Sequence, residues 1–199
     1  MRKVTKLIYA ITVLLFIFSC VSKKDSTEKN FDLKKYQKAG DEVSSIAQAT
    51  LIQNLSAAIE KGGAEYAVQF CNLNASGLLD SVSSANNCVI SRLTDQNRNT
   101  GNFISSPEDK AVWQDYKNRN SENAQADSVM QLADNIIYYR PIRIGMPTCL
   151  KCHGSPDVDI DGKTLTLIDS LYPKDLAKNY KSGDLRGLWK IEFISAQQE

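Results

Sequence analysis

The chain has 199 residues, of which 42% are hydrophobic and 24% charged, with a formal net charge of +1. It is too apolar for a disordered chain and too evenly charged for a general nucleic-acid binder, and its length suits one domain or two small ones. Its five cysteines and one histidine are more telling. A single imidazole excludes a three-histidine zinc centre, bis-histidine haem ligation, and a Ser-His-Asp site beside a separate histidine metal site.

At the N-terminus Arg2, Lys3 and Lys6 precede an apolar run over residues 7–18 and then Ser19-Cys20. A basic head, an apolar stretch and a small residue before the cut form a secretory signal. The run falls short of the ~20 residues of a spanning helix. Ile17-Phe18-Ser19-Cys20 resembles a bacterial lipobox, with Phe18 bulkier than usual at its position. It predicts a lipoprotein signal peptide over 1–19 and acylation of Cys20, hence an extracytoplasmic protein tethered to a membrane. The alternative is an uncleaved anchor with an incidental cysteine. Cleavage removes three basic residues and leaves 21 basic against 23 acidic, which offers nothing to a polyanion. Residues 20–35 read as a polar linker and 36–199 as the folded domain.

Within that domain Val43, Ala47, Leu51, Leu55 and Ile59 recur at helical spacing until Gly62-Gly63 stops them. A second helical stretch over 64–72 puts Ala67, Phe70 and Cys71 on one face. Leu78, Leu79 and Val82 suggest a further short helix ending at Asn86-Asn87. Cys88 to Thr94 is rich in β-branched residues and reads as a strand, followed by a polar loop over 95–106. Ser106-Pro107-Glu108 has the cap, the proline and the acid of a helix start, and the helix carries Val112, Trp113 and Tyr116. Ile136 to Tyr139 and Ile142 to Ile144 are strand-like, with Pro141 marking an edge or bend. Trp189, Ile191 and Phe193 alternate with Lys190 and Glu192 as a half-buried strand. The expected class is α+β.

The chemistry lies in Thr148-Cys149-Leu150-Lys151-Cys152-His153-Gly154, which contains the haem c attachment sequence C-x-x-C-H. Two thiols on one helical turn can each form a thioether with a haem vinyl group, and the adjacent histidine then serves as proximal iron ligand. Covalent attachment outside the cytoplasm fits the export signal. Cys149 and Cys152 are therefore the candidate attachment residues for one haem c, and His153 the candidate proximal ligand. The competing readings are a redox dithiol and a zinc half-site completed by Cys71 and Cys88, which leaves His153 unexplained. For the other face of the iron the residues offer Cys71, Cys88, Met130, Met146, a lysine or an open position. Met146 lies too close to Cys149 to reach round the haem. Cys71 could be a ligand, half of a Cys71–Cys88 disulfide, or a buried core thiol.

Taken together, the motifs resemble the single-haem, c-type, PAS-like domain family, which occurs alone or as the extracytoplasmic sensor region of kinases and chemoreceptors. The matching stretches are Ala67-Val68-Gln69-Phe70-Cys71 with Ala75; Ile90-Ser91-Arg92; Arg98-Asn99 with Asn102; Trp113; Tyr139-Arg140-Pro141-Ile142; the C-x-x-C-H segment; Tyr172-Pro173-Lys174-Asp175-Leu176-Ala177; and Gly183-Asp184-Leu185-Arg186-Gly187. They span about residues 40–195. Thr100 stands where the family usually has proline, and Gln114 where an acid is common. The resemblance implies a PAS-like antiparallel sheet with N-terminal helices packed on it, and Cys71 opposite His153 as distal ligand. A thiolate there favours ferric iron and a low potential.

Arg92, Arg98, Arg140 and Arg143 are candidate partners for the haem propionates, and Tyr138, Tyr139 and Trp113 candidate porphyrin neighbours. Pro173 and a turn from Gly183 to Gly187 are expected to shape the return to the last strand. The function expected is redox sensing or electron transfer through a redox or signalling partner protein, with a homodimer compatible. A gas-binding module acting through a partner, and a zinc-stapled structural lipoprotein, are the alternatives. An enzyme is not expected, since a peroxidase needs a distal acid–base group and the one histidine is proximal.

Overall fold

A computed structural model describes residues 32–119 and 125–194. The expected signal peptide and the expected acylation site, Cys20, lie outside the described residues. The first element is a long helix, α1 (Leu33–Ala85), capped by the Asp32 carboxylate accepting from the Lys35 N–H at 3.3 Å. It opens ahead of the expected domain start at Tyr36, so the end of the supposed linker is already helical. The glycine pair breaks α1 as expected: Gly63 sits at φ 71°, ψ −166°, a conformation open to glycine and strained for residues with a side chain. The expected third helix does not exist separately, because residues 64–85 form one continuous helix. Its middle faces solvent, with Leu73 80% exposed, so no apolar period marks it.

The chain continues through β1 (Cys88–Leu93), a 3-10 turn at Thr100–Asn102, α2 (Pro107–Asn118), β2 (Ser128–Leu132), β3 (Asn135–Arg143), α3 (Pro147–His153), α4 (Gly162–Leu171) and β4 (Leu185–Phe193). The four strands form one antiparallel sheet in the order β1-β4-β3-β2. The α+β, PAS-like class expected from the sequence is the class observed.

Both faces of this sheet are covered. Val43, Ala47, Leu79 and Val82 of α1 pack with Ile90, Tyr138, Trp189 and Ile191 on one face. Val112, Trp113 and Tyr116 of α2 pack with Leu93, Ile137, Tyr139 and Leu188 on the other. This double cover explains why Ile136 to Tyr139 are all buried instead of alternating. Pro141 lies inside the central strand β3, but β2 ends opposite Tyr139, so Pro141 occupies a local edge. Below the sheet the Tyr139 hydroxyl donates to Asp109 Oδ1 at 2.8 Å and Lys190 Nζ to Asp109 Oδ2 at 3.0 Å, satisfying a buried carboxylate.

Candidate functional site

Pro147 occupies the first turn of α3, and the Gly154 N–H closes its end on the Leu150 carbonyl at 2.8 Å. The single turn puts Cys149 and Cys152 on one side of the helix. Cys152 packs with Val68, Ile160 and Ile168, and Cys149 with Ile144, Ala177 and Tyr180. Both thiols and His153 line a cavity of about 550 Å3, which Cys71 and Phe70 from the second half of α1 also line. That volume falls within the ~300–1,000 Å3 of small-molecule and cofactor sites. The helix break at Gly63 lies between Val43 and Ala47, which pack on the sheet, and Cys71, while Leu79 and Val82 beyond Cys71 return to the sheet.

His153 is held from behind. Its Nδ1 lies 2.9 Å from the Ala177 carbonyl oxygen, and the Tyr180 N–H donates to the His153 carbonyl at 2.9 Å. A carbonyl only accepts, so Nδ1 carries the proton and Nε2 keeps its lone pair, as a metal-binding imidazole requires. The Tyr180 ring meets the imidazole edge-on, with centroids 6.3 Å apart. Burial, reinforced by the positive charges of Arg186 and Arg98, holds the imidazole well below its ordinary pKa and therefore neutral. Burial likewise pushes the Cys71 and Cys152 thiols up, while Arg92 and Arg98 pull Cys71 back towards the thiolate.

The candidate arginines all reach the cavity wall but do different things. Arg98 is a strut: Nε and Nη2 bond the Asp175 carboxylate at 3.2 and 3.0 Å, and Nη2 bonds the Cys152 carbonyl at 2.6 Å. Arg140 Nη1 is shared among Asp41, Ser44 and Ser45 of α1 at 3.1, 3.2 and 2.7 Å. Arg143 bonds the Gly183 carbonyl at 2.9 Å. Arg92 has a buried Nε with no partner. The same holds for Arg186, which sequence reasoning missed although Gly183-Asp184-Leu185-Arg186-Gly187 was in view. Gly187 belongs to β4 instead of a turn, and Gly183 alone has a positive φ, 88°.

Trp113, Tyr138 and Tyr139 belong to the sheet core and are absent from the cavity wall, where Phe70, Tyr172 and Trp189 stand instead. Met130 packs beneath the sheet, while Met146 lines the cavity. Cys88 is 4% exposed in the core under α1, and Cys71 and Cys88 are both free thiols. Among the described residues no group of three or more His, Cys, Asp or Glu side chains could hold a metal ion, so the zinc site completed by Cys71 and Cys88 does not assemble. Among the same residues no helix is long and apolar enough to cross a membrane.

These features define an α+β domain with an antiparallel sheet and a cofactor-sized cavity faced by a C-x-x-C-H helix. The chain belongs to the Tll0287-like family, whose model matches residues 21–193. It is similar to the crystal structure of the cyanobacterial heme-protein Tll0287, with a TM-score of 0.53 and 22% identity over 63% of this chain and 72% of that one. No curated protein matches it. The family expected from the motifs is thus the family found.

Proposed function

We propose that this protein carries one covalently attached haem c and serves extracytoplasmic redox sensing or electron transfer, tethered to a membrane through Cys20. One observation carries the reading: a single cavity is lined by Cys149, Cys152, a neutral His153 with Nε2 free, and Cys71. The orphaned guanidinium nitrogens of Arg92 and Arg186 in the same wall fit a cofactor that bears carboxylates. That the similar cyanobacterial structure is of a heme-protein supports the same reading.

In this reading Cys149 and Cys152 would hold the haem through thioethers, and His153 and Cys71 would bind its iron. The haem supplies a one-electron couple, and the sheet and α1 exclude water from it. A redox or signalling protein is the partner. Zinc stapling is disfavoured because Cys88 is withdrawn into the core.

The test is an optical spectrum of protein matured in a host with haem c assembly machinery. A Soret band, and a pyridine haemochrome typical of two thioethers, is the expected result; a colourless protein would sink the proposal. Cys149→Ala or Cys152→Ala should shift the haemochrome to the single-thioether position. Cys71→Ala should change the ferric spectrum and raise the midpoint potential; unchanged values would remove Cys71 from the iron.

A further inference from the structure

Three guanidinium groups, those of Arg92, Arg98 and Arg186, share one wall of the cavity. The positive charges of Arg98 and Arg92 add to burial in lowering the Arg186 pKa, and burial lowers that of Arg92. Among the described residues one carboxylate is ion-paired with this trio. It is Asp175, whose side chain is 1% exposed; it takes Arg98 at 3.0 Å and also lies 3.8 Å from Lys178 Nζ. Asp175 thus balances Arg98, and two half-buried positive charges are left over. Arg186 places Nη1 on the Gln96 carbonyl at 3.1 Å and its guanidinium 5.3 Å from the Tyr180 ring centroid, contacts that orient it without neutralising it. Arg92 and Arg186 each keep a buried Nε without a partner.

Buried unpaired charges and buried unmet donors both carry a large penalty unless a ligand supplies the counter-charge. We propose that Arg92 and Arg186 form a clamp for a dianionic dicarboxylate, which in the haem reading, on which this assignment rests, is the pair of porphyrin propionates. The two leftover charges match the two carboxylates, and the fork of each guanidinium matches carboxylate geometry. Arg98 and Arg140 stand outside the clamp, since their contacts with Asp175 and Asp41 already balance them. The clamp selects the orientation of the bound group before any thioether forms: acid side chains towards Arg92 and Arg186, reactive edge towards α3.

The test uses the full chain produced without haem maturation, titrated with ferric mesoporphyrin IX, which lacks vinyl groups and so binds reversibly, and with its dimethyl ester. The diacid should bind roughly tenfold or more tightly than the ester. Arg92→Gln and Arg186→Gln should each abolish most of that preference while leaving ester affinity within about twofold, and Arg140→Gln should leave the preference intact. Equal binding of diacid and ester by the unmodified chain, retained preference in both Gln variants, or parallel loss of both ligands would overturn the clamp. Should the Gln variants unfold, Arg92→Lys and Arg186→Lys keep the charge without the fork; partial loss of the preference supports the clamp and full retention overturns it. If neither porphyrin binds, the haem reading fails. Calorimetry with glutarate then decides the clamp, which stands if binding depends on both arginines and falls if there is none.

Discussion

The carboxylate of Asp175 organises the back of the site. It accepts from Arg98 Nε and Nη2, and its Oδ1 also accepts the Ala177 N–H at 2.9 Å; the Ala177 carbonyl in turn holds His153 Nδ1. Arg98 closes the ring by donating to the Cys152 carbonyl at the end of the C-x-x-C-H helix. The imidazole is therefore oriented by a carboxylate two links away. Asp175→Ala strands Arg98 as a buried, unbalanced charge and should cost about 3–5 kcal/mol in urea unfolding. Asp175→Asn, which keeps an acceptor for the Ala177 N–H, should cost less. In haem-loaded protein both should also broaden the ferric Soret band, because His153 loses its fixed orientation; a stability loss with an unaltered band would confine Asp175 to folding. Cys88 gives the contrast. Buried under α1 with only a weak 3.9 Å contact to the Ser83 carbonyl, it should lose about 1 kcal/mol as Cys88→Ala and leave the spectrum unchanged.

At the scale of elements, helix propensity and packing give opposite answers at Gly40. Alanine is favoured over glycine inside a helix by about 1 kcal/mol. A Cβ at Gly40, however, would collide with the ring of Tyr138, which is itself fully buried between α1 and the sheet. The ring has nowhere to move, so packing wins: Gly40→Ala should destabilise by about 1–3 kcal/mol, and a neutral or raised melting temperature would refute this account of how α1 seats. The same balance between local signal and packing decides how much of the fold can be read from the sequence. The break at Gly62-Gly63, the start of α2 at Ser106-Pro107 and strand β1 are written in local chemistry and appear where expected. Strand β2 was not expected because Ser128 to Leu132 is a short edge strand of mixed polarity, turned into β3 through Ala133 at φ 53°, without the glycine or asparagine that usually marks such a turn. Helix α4 was legible but not read: Asp161 caps it, and Leu165, Ile168 and Leu171 recur at helical spacing on the face that packs against Val68. In the site, C-x-x-C-H was legible because spacing and chemistry define it, whereas the residues alone left Cys71 open and only the family resemblance singled it out. Which arginines are struts and which have free donors was not, because Asp175 and Asp41 reach them only through the fold.

For the whole molecule, burial is unevenly shared between the sheet and the cavity. The central strands β3 and β4 are covered on both faces and hold Tyr138, Tyr139, Leu188 and Ile191 at no exposure. By contrast α3 buries no residue fully, and α4 buries only Thr164 and Ile168. Helix α3 and residues 67–78 of α1 line a cavity of about 550 Å3, so their packing on that side is completed only by what fills it. The protein should therefore behave as a stable sheet with a ligand-dependent wall. Amide hydrogen exchange should find β3 and β4 slowest in both haem-free and haem-loaded protein. The amides of α3 and residues 64–76 should exchange quickly when haem is absent and slow by an order of magnitude or more when it is attached, with a rise in melting temperature, because a group bound only by the folded state stabilises it. Haem-independent protection of α3 would mean that the helix is held by Arg98 and Tyr180 alone, and that the cavity is preformed. Graded protection, strongest at α3 and fading along residues 64–76 towards Gly63, would instead place the moving boundary at the glycine break, where the chain can bend without disturbing Val43 and Ala47 on the sheet.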